Sequence, residues 1–386
     1  MKTLPFIVFC GLLCYNLQNS ILMEDKMNVY ELLNGIKKPE PAVSGEEFCF
    51  AAVGLDHGHI GGMCSGLVQA GAKLLYVCDS DENKARELAA KHGAEVVSSL
   101  DEICADKRVK MVASAAVPSD RGPLGCEVMR RGLDYFVDKA PFTTLGQLVA
   151  AEKTVKETGK RYFVYYSERL HSECSIFAGY LLENDFIGDV VNIIGTGPHT
   201  INAPNRPEWF FDRKRYGGIL CDIGSHQAEQ FLYYSGSDRV RVDDSSIGNF
   251  RYNEYPELDD FGDMHLTAAN GVTGYHRVDW LSPRGLKSWG DGRCVIEGTK
   301  GYIEMRKNID LTVGGGNILY LVNDDGEFRI DAGGKVGVPF FRDMILDCLN
   351  GTENAMTQSH IFAAARVSLI AQENARDLTP DVPNRR

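Results

Sequence analysis

No segment of this sequence repeats another and none is of low complexity, which argues against solenoids, propellers and fibrous arrays. Positive charge is not in excess either: 41 lysines and arginines face 53 aspartates and glutamates, a net charge of -12. That balance opposes non-specific attraction to phosphate backbones and anionic lipid, so no nucleic-acid partner and no membrane role is expected. A disulfide framework is missing, because the eleven cysteines are odd in number and scattered rather than clustered. A reducing, cytoplasmic setting fits that usage. No apolar run is long enough for a confident membrane span; the N-terminal run Leu4 to Tyr15 falls short.

With Lys2 ahead of it, that run looks like a short secretory signal, yet a twin-arginine pair and a small-x-small cleavage site are both absent. Two readings stay open: a leader, or translation that begins at Met23 or Met27. Either way residues 1–45 are expected to form a leader or surface arm. The rest is rich in core-forming residues, since 44% of the 386 residues are hydrophobic, and the length favours two domains. The boundaries expected are 46–168 for a dinucleotide-binding domain and 169–380 for an α+β domain.

From Phe48 short apolar strands alternate with amphipathic helices, the pattern of parallel strands joined by right-handed crossovers. Strands are expected at Phe48 to Val53, Leu74 to Cys78, Ala94 to Val97, Val109 to Ala115, Tyr135 to Val137 and Tyr162 to Tyr166. A helix from about Asp81 to His92 should stop at Gly93. After Tyr166 the texture changes. A helix near Ser172 to Glu183, a strand at Val190 to Ile194, a long polar loop and a helix from Asp222 to Tyr234 precede several alternating runs: Gly262 to Ala268, Gly274 to Trp280, Arg293 to Glu297, Gly301 to Met305 and Ile318 to Val322. These predict a large, mostly antiparallel sheet. Helices near Val338 to Leu349 and Gln358 to Asn374 close the chain. The fold class is α/β: a Rossmann-type domain followed by an α+β domain with an open sheet.

The first strand runs into Gly54-Leu55-Asp56-His57-Gly58-His59-Ile60-Gly61, a strand-to-helix turn of the kind whose backbone approaches a pyrophosphate at a helix N-terminus. The usual fingerprint places glycines at 54, 56 and 59, and this chain carries Asp56 and His59 instead. Asp79 ends the next strand 25 residues after Gly54, close to the spacing of an acidic residue that binds a ribose 2'-hydroxyl. A carboxylate there repels a 2'-phosphate, and Ser80 stands where an arginine would favour NADP, so NAD is the expected cofactor over NADP. His57-x-His59 could also ligate a metal in a barrel enzyme. That needs eight strand–helix units, which the second half does not supply, and no metal is expected.

Two further segments offer proton chemistry. Asp138-Lys139-Ala140-Pro141 ends a strand, and Asp222-Ile223-Gly224-Ser225-His226 opens a helix, where the i, i+4 spacing puts Asp222 and His226 on one face. Hydride exchange between nicotinamide and an alcohol needs a group to take or give the hydroxyl proton, and lysine or histidine can do so. Taken singly, each has an ordinary reading: a solvated lysine, an N-capping aspartate, a core histidine.

The series of Gly-rich turn, acidic strand end, a strand ending near Val117-Pro118-Ser119, a lysine segment and a D-x-x-x-H helix resembles the Gfo/Idh/MocA oxidoreductase family from about Phe48 to Asn374. The resemblance implies a catalytic set of Lys139, Asp222 and His226. It also implies cofactor contacts from Gly54, Leu55, Asp56, His57, Gly58, His59, Ile60, Asp79, Ser80, Pro118, Ser119 and Lys139. Substrate contacts are implied for Arg169 in Tyr165-Tyr166-Ser167-Glu168-Arg169, and for His199, Trp209, Asp222 and His226. The substrates implied are sugars, polyols or glycosides, and the assembly a homodimer or homotetramer. Two alternatives stay open: a glycosidase that oxidises its sugar transiently with NAD, and a non-catalytic sugar- or NAD-responsive protein of the same fold. This chain departs from the family pattern at Ala140, where proline commonly follows the lysine, and at Asp56 and His59.

Overall fold

A computed structural model describes residues 27–381. The expectations about Leu4 to Tyr15 and a start at Met23 lie outside the described residues. The chain divides into two compact units, one up to Ile36 and one from Lys37 on. In the first, the helix Val29–Gly35 is closed by a capping box in which Asn28 and Glu31 each accept the other's backbone N–H.

The second unit opens with the parallel sheet. Its strands are β1 (Cys49–Val53), β2 (Lys73–Cys78), β3 (Glu95–Val96), β4 (Val109–Ser114), β5 (Asp134–Asp138) and β6 (Tyr162–Tyr165), in spatial order β3-β2-β1-β4-β5-β6. Every neighbouring pair is parallel. The order reverses at β1, so β2 and β4 flank it and a crevice opens at their carboxyl ends, where such sheets bind ligands. Local chemistry fixes the helices between them. Asp81 caps Glu82–His92 by accepting from Asn83 and Lys84 N–H, and Gly93 stops it in the left-handed region. Pro118 opens Pro118–Arg130 at a position where its missing N–H costs nothing. β4 thus ends at Ser114, earlier than expected, and Pro118 and Ser119 lie in the first helical turn instead of at a strand end.

The second sheet has nine strands: β7 (Val190–Pro198), β8 (Val240–Gly248), β9 (Phe261–Ala268), β10 (Thr273–Asp279), β11 (Arg293–Gly298), β12 (Gly301–Arg306), β13 (Ile318–Asn323), β14 (Gly326–Asp331) and β15 (Arg376–Asp377). Their order is β14-β13-β12-β11-β7-β10-β9-β8-β15, antiparallel except at β7–β10 and β8–β15. β8, β14 and β15 were not foreseen, because their many charged side chains dilute the apolar alternation that marks a half-buried strand. β7 is longer than expected and carries its chain to Pro198, delivering His199 directly off the sheet. Gly195 within β7 lets Gln227 and His276 come so close that a Cβ there would collide with both.

The expected helix from Asp222 is two helices, Ile219–Asp222 and Gly224–Ser235, hinged at Ile223. Ser225 Oγ captures the Asp222 carbonyl at 2.9 Å and His226 N–H bonds back to Ile223 three residues earlier, which breaks the regular ladder. The last helices, Phe340–Asn350 and Gln358–Glu373, return to the parallel sheet, where Phe136 meets Phe340 and Phe341. Among the described residues all nine cysteines are free, and no helix is long and apolar enough to cross a membrane.

Candidate active site

At the carboxyl end of β1 the backbone turns over the ends of its two neighbours. Gly54 N–H donates to the Cys78 carbonyl at 3.2 Å, while Ala115 N–H donates to the Gly54 carbonyl and His57 N–H to the Ala115 carbonyl. Gly54 sits at φ +70, and a Cβ there would lie 2.8 Å from Ala116 Cβ, so only glycine fits. In the helix His59–Gln69 that follows, the first N–H groups turn back on the loop: His59 N–H reaches His57 Nδ1 at 3.3 Å and Ile60 N–H the His57 carbonyl at 3.3 Å. Asp79 accepts Leu55 N–H at 2.5 Å on one oxygen and Asp81 N–H at 2.7 Å on the other, which leaves lone pairs on both for ribose hydroxyls. Ser80 is exposed beside it. These features fit a dinucleotide. Asp56 occupies the second glycine position of the fingerprint and reaches across to accept Val117 N–H at 3.2 Å, while burial and then Asp79 raise its pKa.

His57 and His59 close the turn on a different partner. Their Nδ1 atoms lie 3.2 and 2.9 Å from the two oxygens of Asp138, the last residue of β5, which is fully buried. Arg121 Nη2 is 3.3 Å from the same carboxylate. Burial alone would raise the Asp138 carboxyl, but His59 and Arg121 outweigh it and hold it well below the usual range. Burial lowers His57 to about 4, so its ring is neutral. His57, His59 and Asp138 each bring a ligand-capable atom within 4.8 Å of the others. The Arg121 guanidinium already matches the charge of that carboxylate.

Arg121 also sets the loop that presents the lysine. Its Nε donates to the Ala116 carbonyl at 2.7 Å, and its Nη1 reaches the carbonyls of Asp138 (3.2 Å), Lys139 and Ala140 (3.1 Å). The Lys139–Ala140 peptide is cis. Held this way, Lys139 Nζ donates to Asp222 Oδ1 at 2.5 Å, a pair with only 6% and 11% of the side chains exposed. Burial alone would raise the Asp222 carboxyl, and the Lys139 ammonium overrides it to hold the pKa below the ordinary value. Lys139 and Asp222, 83 residues apart, are therefore in direct contact.

His226 lies near enough to Lys139 for their charges to couple. Burial, with Lys139 and His199 adding to it, lowers His226 to about 3 despite nearby Glu168. It is a neutral imidazole whose buried Nδ1 has no hydrogen-bond partner. His199 joins the same group: it couples to Lys139, Asp222 and Glu168, and burial lowers it to about 4. Its ring contacts Trp280 at 5.5 Å and Trp289 at 4.6 Å.

The remaining implied contacts lie elsewhere. Arg169 is buried in an ion pair with Glu229, its Nε donating at 2.6 Å, and stacks over Tyr233 at 3.9 Å. The short helix Ser167–Leu170 turns successive residues to different sides, so Arg169 lines one cavity and Glu168 another. Trp209 packs on Phe210 and is buried among aromatics. Leu55 and Ile60 are buried beneath the glycine turn.

Several site residues escaped the sequence reading: Arg121, Glu168, Lys307 and Trp289. Glu168 Oε2 accepts from Lys307 Nζ (2.7 Å), Gln227 Nε2 (2.9 Å) and Gln230 Nε2 (3.3 Å). A cleft of about 570 Å³ is lined by Gly58 and His59 of the cofactor turn, by Tyr165 and Glu168, and by Trp289 and Lys307 of the second sheet's side. The only sequence signal for Glu168 was its place next to Arg169, and for Arg121 its place in the first turns after β4.

Comparison with known proteins agrees with this layout. A family profile described as "Oxidoreductase family, NAD-binding Rossmann fold" matches residues 52–166, and one described as "GFO/IDH/MocA C-terminal domain" matches residues 178–304. The scyllo-inositol 2-dehydrogenase (NAD(+)) of Bacillus subtilis (strain 168) is 26% identical over 239 residues, 60% of this chain and 66% of that enzyme. This chain therefore spans just under two thirds of that relative's length. A crystal structure from Erwinia carotovora atroseptica SCRI1043, provisionally named an oxidoreductase, is 44% identical with a TM-score of 0.84, covering 86% of this chain and 99% of that one. An Agrobacterium radiobacter oxidoreductase, solved with NAD+, L-tartaric acid and magnesium, has a TM-score of 0.71 at 16% identity, covering 85% and 96%. At that identity it shows the shared fold.

Proposed function

Because the chain belongs to the Gfo/Idh/MocA oxidoreductase family, we propose that it exchanges a hydride between a nicotinamide dinucleotide, NAD over NADP, and a hydroxyl-bearing carbon of a sugar, polyol or glycoside. The observation that carries this reading is the buried Lys139–Asp222 pair beside neutral His226, at the carboxyl edge of a sheet whose first turn fits a dinucleotide. The relative that acts on scyllo-inositol with NAD supports the same substrate class and cofactor.

When bound, the nicotinamide would supply the hydride acceptor or donor. The close-approach turn at Gly54 ahead of the helix start would seat the pyrophosphate, and Asp79 would accept the adenosine ribose hydroxyls. In the oxidation direction charge grows on the substrate oxygen as its proton leaves. The Lys139 ammonium stabilises that oxygen, and Asp222 keeps the ammonium aimed. Neutral His226 has a free lone pair to take the proton. In reduction it returns the proton to the same oxygen.

A spectrophotometric screen of inositols, aldoses and glycosides with NAD and NADP in parallel tests the proposal. Absorbance growth at the reduced-nicotinamide band with at least one polyol, faster with NAD, is expected. Aglycone release without net cofactor reduction would replace the reading by transient oxidation and elimination. Binding of sugar and NADH without either signal would replace it by a non-catalytic role.

A further inference from the structure

The second wall of the cleft holds a polar arrangement that the hydride chemistry does not use. Glu168 is buried, and its Oε2 is saturated by Lys307, Gln227 and Gln230. Its Oε1 is buried and has no hydrogen-bond partner. A buried carboxylate oxygen without a donor is costly, which makes it a position where a ligand gains by supplying one.

What faces that oxygen sharpens the requirement. His199 Nε2 lies 3.9 Å away, too far for a hydrogen bond. His199 Nδ1 is 3.0 Å from the Gly197 carbonyl, which can only accept, so the ring proton resides on Nδ1. In the neutral ring Nε2 is then an acceptor. Two acceptors thus lie side by side 3.9 Å apart, and a ligand that reaches both must present donors to the pair from one side. Adjacent hydroxyls of a ring polyol present two donors side by side, one for each acceptor.

Charge and shape narrow the class. Glu168 is matched by Lys307 and Asp222 by Lys139, so the wall carries no surplus charge to recruit an acid. Trp289, 54% exposed, lies against His199 and lines the same cleft as Glu168, offering a flat apolar surface for the C–H face of a ring.

We infer that Glu168 and His199 form an acceptor pair that binds vicinal hydroxyls of an uncharged polyol ring, and so select which hydroxyl is turned toward Lys139. Glu168 is a specificity-determining residue in this account, anchored by Lys307, Gln227 and Gln230. The inference rests on the proposed function for the identity of the cleft and adds the substrate pattern it reads.

The test uses the full chain with four probes, myo-inositol, a monodeoxy-inositol, D-glucuronate and D-glucosamine, with NADH in the non-turnover binding assay and NAD as hydride acceptor in the turnover assay. Binding is followed by saturation-transfer NMR and turnover by nicotinamide absorbance. Wild type should favour myo-inositol over the other three. In E168Q the new amide donates toward His199, so KM for myo-inositol should rise about tenfold to a hundredfold while kcat changes less. The variant should lose its preference over the deoxy analogue while NADH affinity is unchanged, and its melting temperature should fall because Lys307 loses its buried carboxylate, so the comparison is made at a temperature where it is folded. Equal wild-type binding of myo-inositol and its deoxy analogue, or tighter binding of the acid or the amine, overturns the inference without needing the variant. Unchanged discrimination in a folded E168Q overturns it as well. Polyol binding that responds to E168Q without any hydride transfer supports the acceptor pair and contradicts the oxidoreductase reading, so the two failures are separable.

Discussion

The two walls of the cleft are built on opposite plans. The wall from the parallel sheet is short-range: a glycine turn, an acidic strand end and a lysine loop, each a few consecutive residues placed where strands end. The other wall is long-range: Glu168, His199, the helical pair Gln227 and Gln230, and Lys307 come from four separate stretches and meet only as a buried polar network. The first wall fits a cofactor shared by many proteins. The second is assembled from side chains far apart in the chain, and the difference teaches that local and long-range signals build the two sides of one cleft.

Lys139→Ala should separate the walls most sharply. Removing the ammonium beside Asp222 should lower kcat by about 10³-fold while NADH affinity stays within a few-fold, measured by turnover and fluorescence titration. Retained activity would shift the chemistry to the second wall. Asp138→Ala attacks the scaffold of the first wall. It would leave Arg121 buried with no carboxylate and His57 and His59 without their anchor, at a cost of about 3–5 kcal/mol in urea unfolding.

Acid should act through buried histidines, three of which span both walls. His57, His199 and His226 have folded pKa values of about 4, 4 and 3, below the ordinary 6.5. The unfolded chain therefore takes up protons that the folded chain refuses, and stability is lost as pH falls from about 6.5 toward 3. Between pH 7 and 5 each should cost up to about 2 kcal/mol, read as a falling melting temperature. His226→Gln should flatten that slope by one histidine's share; an unchanged slope would mean the imidazole is not buried neutral. The smallest effect is expected at the cofactor rim. Asp79→Ala should move the NAD-to-NADP preference by about tenfold, roughly 1.4 kcal/mol, with little change in polyol KM.

The sequence made the first wall readable because its signals are local. Gly54, Asp79, Asp81 and Gly93 each satisfy a backbone demand within a few residues, and the alternation of strand and helix orders the sheet. Lys139 and Asp222 were legible as a pair only through their order along the chain, and their contact was not. The Asp222–His226 spacing suggested one regular helix; Ser225 competes for the Asp222 carbonyl and breaks it. Arg169 drew attention as an arginine beside the cleft, while its neighbour Glu168 is the residue that lines the cleft with His59. Lys307 and Arg121 look like ordinary charges in the sequence. Their roles come from burial against partners 139 and 17 residues away, a distance no local pattern reports.

The measurement that tests the central claim most directly is transfer of label from substrate carbon to nicotinamide. The protein would be incubated with NAD and C-deuterated myo-inositol, and with a C-deuterated aldose, and the extracted cofactor analysed by mass spectrometry. Deuterium in the nicotinamide ring, abolished by Lys139→Ala while the cofactor still binds, is the result predicted here. Unlabelled cofactor in the presence of bound polyol would contradict hydride transfer at the Lys139–Asp222 pair.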